Sequence, residues 1–205
     1  RRFPLEVLLT ALRDEPLVVA KIYHEPNGRR PKLEAMLKNP PIDDGTPGHK
    51  SIAWPTDLLV DAGKTKRFCG FLMPKVDRAS GFHEFSNPSR REKQHPHVTL
   101  RDLHIVASNV ASAFRALHQK GYVIGDVNEG NVLIRDDGLA TVVDTDSFQV
   151  RTPAGTVYRC RVGRAEFTPP ELQNAKSLGD FDRETRHDIF GLGVLLFQLL
   201  MQGFH

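Results

Sequence analysis

The heptapeptide Gly125-Asp126-Val127-Asn128-Glu129-Gly130-Asn131 separates two short apolar runs, Tyr122-Val123-Ile124 before it and Val132-Leu133-Ile134 after it. Such runs read as strands, which puts the polar residues between them on a turn. Thirteen residues beyond Asn131, Asp144 ends a third run, Ala140-Thr141-Val142-Val143. The turn residues Asp136-Asp137-Gly138 join the last two runs into a hairpin. Three polar groups on the ends of short strands can converge on one point. An Asp, an Asn and a second Asp are hard oxygen ligands or proton acceptors, suited to Mg²⁺ and a hydroxyl nucleophile.

Upstream of this turn, Leu103, Val106, Ala107, Val110, Ala113, Phe114 and Leu117 recur at spacings of three and four, which predicts a helix from Thr99 with Gly121 placed to end it. Before it, a polar segment rich in Pro, Ser and His runs from Asp77 to Val98 and reads as a connector. Near the start, Leu17-Val18-Val19-Ala20-Lys21-Ile22-Tyr23 is a β-rich run whose single charge, Lys21, needs a partner or a purpose. Pro31 to Lys38 reads as a short helix with Leu33, Met36 and Leu37 on one face, ended by Asn39-Pro40-Pro41. Further strands are expected around Ser51 to Val60 and Arg67 to Val76. Downstream, Ser147 to Leu178 shows little periodicity and reads as an extended loop, and Asp188 opens a final apolar helix.

Composition bounds the class. The chain has 205 residues, 28 Lys+Arg against 25 Asp+Glu, and 40% hydrophobic residues. That length can bury a sizeable core without metals or disulfides, and disorder and collagen-like repeats are excluded. Two cysteines, Cys69 and Cys160, are too few for a disulfide framework or a four-ligand zinc site, so a cytoplasmic setting is expected. The longest apolar stretch, Ile189 to Phe204, contains Gln198 and Gln202 and reads as a buried helix rather than a membrane span. A net charge of +3 is too weak to argue nucleic-acid binding.

The order of these motifs resembles the protein-kinase signature set, with Asp126 and Asn131 at the family's five-residue offset. The resemblance implies an α+β, two-lobed kinase-like fold: a small β-rich lobe over residues 1–76, a hinge and connector over 77–98, and a mainly helical large lobe over 99–205, truncated at both ends. It implies that Asp126 accepts the substrate hydroxyl proton, that Asn131 and Asp144 hold metal ions, and that Lys21, paired with Glu34, steadies the α- and β-phosphates of ATP. Met73 would be the gatekeeper, the Pro74 carbonyl and Val76 amide would face adenine, Leu133 would form the floor of that pocket and Val19 its roof. Thr168-Pro169-Pro170-Glu171 resembles the A-P-E element, and Asp188-Ile189-Phe190-Gly191-Leu192-Gly193 the start of the helix that supports the catalytic loop. The implied activity is an ATP- and Mg²⁺-dependent Ser/Thr protein kinase acting on a protein hydroxyl. An inactive nucleotide-binding scaffold and a small-molecule phosphotransferase are the alternatives. The words Gly-Asp-Val-Asn-Glu-Gly-Asn, Asp-Thr-Asp-Ser-Phe-Gln and Phe-Thr-Pro-Pro-Glu-Leu resemble a bacterial kinase-like subfamily that carries a helix-hairpin-helix DNA-binding region and includes tellurite-resistance-associated members. No such region is visible here, so DNA binding is expected only through a region outside the chain.

Several positions depart from that pattern. Ile124 and Gly125 replace the His and Arg before the catalytic Asp, which removes the usual partner of a phosphorylated activation loop. Asn128 replaces a lysine, and Arg164 is the nearby cation that could meet phosphoryl charge. Thr145 and Asp146 replace Phe and Gly of D-F-G, with Asp146 expected to face solvent or cap backbone. No glycine precedes Lys21. His95-Pro96-His97 reads as a solvated loop, Cys69 as core, and Thr152, Thr156 and Tyr158 as possible phosphorylation sites with ordinary loop roles as the simpler expectation.

Overall fold

The structure is a computed structural model and describes residues 18–43, 46–63 and 66–203. Leu17, most of the glycine-free stretch before Lys21, and Phe204 and His205 lie outside the described residues. The first sheet is built from β1 (Val18–Ile22), β2 (Asp57–Val60) and β3 (Phe68–Pro74) in the order β1-β3-β2, all antiparallel. Its register sets Lys21 opposite Phe71 and Val19 opposite Met73. At Gly70 a Cβ would stand 2.1 Å from the Lys21 carbonyl oxygen, so only glycine allows this close pairing.

Helix α1 (Arg30–Lys38) begins with Pro31 in its first turn, where a missing N–H costs no intrahelical bond, and buries Leu33 and Met36. Trp54 Nε1 donates to the Met36 carbonyl at 3.1 Å and fixes the helix end against the chain that leads into β2. The segment expected as a bare connector has structure of its own: β4 (Ala79–Gly81), α2 (Phe82–Ser86) and α3 (Pro88–Gln94). The basic run Ser89 to Lys93 lies in α3, whose start is capped by the Asn87 side chain. His95 is not solvated. It is buried, stacked on Phe85 with ring centroids 4.3 Å apart, and lies 2.7 Å from Asp136 and 3.3 Å from Glu84.

Helix α4 (Leu100–Gln119) opens on a Thr99/Asp102 capping box and buries the seven apolar residues that its periodicity marks. Strands β5 (Val132–Arg135) and β6 (Ala140–Val142) form the expected hairpin, and β4 pairs with β5 to give the sheet order β4-β5-β6. The region expected as a loop after Ser147 is mostly irregular but contains a small hairpin, β7 (Val150–Arg151) with β8 (Val157–Tyr158), and a one-turn helix α5 (Pro170–Gln173). The last helix is α6 (Thr185–Leu200), which starts three residues before Asp188 on a Glu184/His187 capping box.

One hydrophobic core runs through the molecule, from Leu33, Met36 and Phe71 through Phe82, Phe85, Phe114 and Leu117 to Leu195 and Leu199. Each such side chain contributes roughly 1.5–3 kcal/mol by leaving water. The β5–β6 hairpin and the turn before it are seated on this core, which gives the polar residues at their tips a rigid base. Cys69 is part of the buried set, as expected.

Candidate active site

The turn at 125–131 is held from below by α6. Asp188 is 1% exposed, and its carboxylate accepts the Ile124 and Gly125 amides at 2.7 and 2.8 Å, with His118 Nε2 2.9 Å away. One turn further on, Gly191 lies so close to Val127 that a Cβ would meet its side chain at 2.8 Å. The turn therefore rests on α6 through the Asp188 carboxylate and the Val127 side chain packed on the Gly191 backbone, as the resemblance of the Asp188 segment implies.

Within the turn, the side-chain amides of Asn131 and Asn128 both donate to the Asp126 carbonyl, at 2.9 and 3.0 Å. Asn128 also accepts the Gly130 amide at 2.9 Å, so its amide is consumed by the loop. The Asp126 carboxylate is left free of these bonds. Its Oδ1 is buried and has no hydrogen-bond partner among the described residues, an unusual state for a buried acceptor and one that calls for an explanation. The Asn131 carbonyl accepts the Val143 amide at 2.9 Å, which extends the β5–β6 ladder and delivers Asp144 beside the turn. Asp144 itself is left-handed, φ 58° and ψ 35°, a conformation that Asp tolerates better than most residues. Thus Asp126, Asn131 and Asp144 are drawn into one region by a continuous set of hydrogen bonds.

Lys21 reaches this region from β1. Its Nζ lies 2.6 Å from Asp144 Oδ1 and 2.5 Å from Asp146 Oδ1. Burial pulls its pKa down, but the hydrogen bonds and charges of the two aspartates outweigh burial and hold it above the ordinary lysine value. Glu34 is not its partner: it forms an i,i+4 pair with Arg30 at 2.7 Å on the exposed side of α1. Asp146, expected to face solvent or cap backbone, is instead buried and takes that place. Tyr23 Oη donates to its Oδ2 at 2.7 Å, and burial together with this bond raises the tyrosine pKa. Lys32, not Glu34, is the α1 residue turned toward the site, donating to the Asp146 carbonyl at 2.7 Å. Burial pushes the Lys32 pKa down to about 8.

Two of the five expected adenine residues line a common cleft among the described residues. Pro74 and Val76, with Val18, line a cleft of about 440 Å³ whose walls do not include Val19, Met73 or Leu133. Val19 and Lys21 alternate onto one face of β1 and Val18 onto the other, and Met73 faces Val19 across the ladder. Leu133 pairs with Thr141 in the hairpin.

The departures from the kinase pattern have local reasons. Gly125 has φ +74°, and a Cβ there would stand 2.7 Å from that of Cys160, so no side chain fits at this position. Arg183, 4% exposed, donates from Nη1 to the Gly125 carbonyl and from Nη2 to the Val162 carbonyl at 2.6 Å. It ties the turn to the segment after β8 without a phosphate. Arg164 is paired with Glu129 at 2.6 Å and is not free. Burial pushes the Cys160 thiol up, away from thiolate reactivity. Sequence reasoning missed Asp146 and Arg183. The Asp-x-Asp spacing offered a signal for the first; for Arg183 only proximity to Asp188 did.

Among the described residues no three His, Cys, Asp or Glu side chains form a metal cluster. The hard donors present are the Asp144 carboxylate, 37% exposed, and the Asn131 amide oxygen, whose nitrogen faces the Asp126 carbonyl. This oxygen set suits Mg²⁺ rather than a soft metal.

No family model matches the chain. Known proteins do: the chain is homologous to protein kinases, which supports a protein kinase-like family. "Protein kinase YegI" of Escherichia coli, strain K12 and O157:H7 alike, is 38% identical over 189 residues, covering 91% of this chain and 28% of that protein. The chain therefore spans under a third of the length of these curated relatives. Human 3-phosphoinositide-dependent protein kinase 1 is 28% identical over 95 residues, 45% of this chain and 16% of that protein. Human serine/threonine-protein kinase SBK2 is 34% identical over 99 residues, 48% of this chain and 28% of that protein. No helix among the described residues is long and apolar enough to cross a membrane.

Proposed function

We propose that the protein is an ATP- and Mg²⁺-dependent kinase that transfers the γ-phosphoryl group to a Ser or Thr hydroxyl of a protein. The observation that carries this is the buried, unpartnered Oδ1 of Asp126, held on a turn whose backbone is fixed by Asp188. An acceptor kept free of internal bonds on a rigid base is what a group that takes a hydroxyl proton requires. Asn131 and Asp144 supply oxygen donors for Mg²⁺, and bound nucleotide with its metal supplies the transferable phosphoryl group. Lys21 supplies the cation for the phosphates, with Asp146 keeping it charged and oriented. Pro74 and Val76, which line one cleft, are proposed to border adenine, with Val19, Met73 and Leu133 on the strands that flank it. The names of the relatives agree with kinase chemistry, and the Ser/Thr direction rests on the names of those from eukaryotes.

The second reading is a nucleotide-binding scaffold without transfer. It is favoured by Asn128, which has no charge and is spent on the loop, leaving no lysine beside Asp126. Incubation with γ-labelled ATP and Mg²⁺, with and without a generic protein substrate, separates the two. Labelled phosphoserine or phosphothreonine is the expected outcome. Nucleotide binding with no labelled product supports the scaffold, and label only on small molecules overturns both.

A further inference from the structure

Gly125, the residue before Asp126, is gripped on both of its main-chain groups from the start of α6. Its amide donates to Asp188, and its carbonyl accepts from Arg183 Nη1. The same guanidinium donates from Nη2 to the Val162 carbonyl, so one planar group spans two separate stretches of backbone. A Cβ on Gly125 would stand 2.9 Å from Arg183 Nη1, which means that the guanidinium fills space a side chain at 125 would need. Arg183 is buried, its Nε has no hydrogen-bond partner, and among the described residues its side chain donates to carbonyls and to no carboxylate. The adjacent Asp182 is committed to Arg151 and Arg159. Gln149, also buried, fixes the main chain of Arg183: its Nε2 donates to the Arg183 carbonyl at 2.7 Å and its Oε1 accepts the Arg183 amide at 2.9 Å. The main chain of Gln149 makes a second two-way exchange, with Val123, at 2.7 and 3.3 Å. These bonds close a ring from Val123 through Gln149 and Arg183 to Gly125, around the base of the turn that carries Asp126.

We propose that Gln149 and Arg183 act together as a clasp that positions Asp126 and so sets the rate of phosphoryl transfer. A guanidinium buried without a counter-charge costs free energy that an apolar side chain of similar volume would not. What it offers in return is geometry: a rigid fork reaches two carbonyls at once, which the single ammonium of a lysine cannot match. The glutamine amide has one donor and one acceptor end, and both are spent on one residue, so the backbone from which the guanidinium projects cannot rotate. Gln149 also follows the segment that carries Asp144 and Asp146, and the ring therefore ties that segment to the catalytic turn. Neither residue touches Asp126 through its side chain; both act on it through Gly125 and Val123. A displacement of about 1 Å at a reacting group can cost about 10²-fold in rate, which gives the clasp its leverage.

The effect on rate rests on the kinase reading, whereas the hold on the turn does not, and the experiment reads the two apart. Amide hydrogen exchange, nucleotide affinity and single-turnover transfer from γ-labelled ATP are measured on the full chain and on Gln149→Met, Arg183→Met and the double variant. Arg183→Lys, which keeps a cation but can hold only one of the two carbonyls, is the milder change and decides the matter if the others do not fold. Phe85→Leu, a core change away from the turn, serves as a control at matched loss of Tm. Exchange over residues 123–131 and 160–163 is expected to quicken at least about tenfold in every clasp variant, with transfer down about 10²-fold in Arg183→Met and nucleotide affinity kept. The double variant should lose no more than Arg183→Met alone, because the two residues work as one device. A turn that loosens in the variants of a protein that transfers no phosphoryl group at all upholds the clasp and overturns the kinase reading instead. Exchange over the turn unchanged in Arg183→Lys, or transfer that falls equally in Phe85→Leu, overturns the proposal.

Discussion

Lys21 and Asp146 meet at 2.5 Å across 125 residues of sequence, and Asp146 is nearly buried where they meet. The charge that steadies Lys21 thus comes from the strap after β6 and not from α1. Replacing Asp146 by Asn removes a buried carboxylate that serves Lys21, Tyr23 and Arg29 together. We expect a loss of about 1–3 kcal/mol in stability and a sharp fall in phosphoryl transfer. Glu34→Gln on the exposed side of α1 should change stability by no more than about 0.5 kcal/mol and leave transfer intact. Denaturant melts and transfer rates on the two variants check this, and equal losses in both would restore Glu34 as the partner.

Gly125 is required by its backbone. An alanine there must adopt φ +74° with its Cβ against Cys160, so Gly125→Ala is expected to cost roughly 1–3 kcal/mol and to displace Asp126. The same substitution at Gly155, also at positive φ but with open space around it, should cost only the backbone strain of about 1 kcal/mol. Thermal melts of the pair separate crowding from strain.

Asp188 is a positioning residue. Asp188→Ala leaves two amides, the buried one of Ile124 and the half-buried one of Gly125, without an acceptor, and about 3 kcal/mol of stability should be lost. If the protein survives the change, nucleotide affinity should hold while the transfer rate falls, because the turn that carries Asp126 loosens. A drop in nucleotide affinity alone would contradict this role.

How much of this was legible in the chain follows from distance along it. Asp126, Asn131 and Asp144 lie within one turn and one hairpin, so their capacity to converge was legible from spacing, while their roles came from the resemblance. The seven buried residues of α4 followed from period alone because a long amphipathic helix has one way to face a core. Partners of Lys21 were not legible: two acids were available, and only the direction in which α1 faces decides that Lys32 and not Glu34 turns inward. The segment 77–98 reads as connector because its helices are short and polar, and β4 becomes a strand only by pairing with β5. Its burial of His95 depends on Glu84 from α2 within the segment and on Asp136 from the β5–β6 turn.

Lys32 should leave a mark on pH dependence. Its folded-state pKa, about 8, lies below the ordinary lysine value of 10.5, so between those values the unfolded chain binds more protons than the folded one. Stability from this group therefore rises with pH across that window and is least below pH 8. Relative to Lys32→Met, the unmodified protein should gain stability as pH is raised from about 8 to about 10.5. Parallel curves for the two proteins over that range would contradict the burial of the ammonium.

The central claim is that the free Asp126 carboxylate takes a proton from a hydroxyl during phosphoryl transfer. The direct measurement is the single-turnover rate of γ-phosphoryl transfer by the full chain and by Asp126→Asn, with nucleotide affinity measured on both. The account expects nucleotide affinity to change little and the transfer rate to fall by about 10²–10⁴-fold. Equal transfer rates in the two proteins would contradict it.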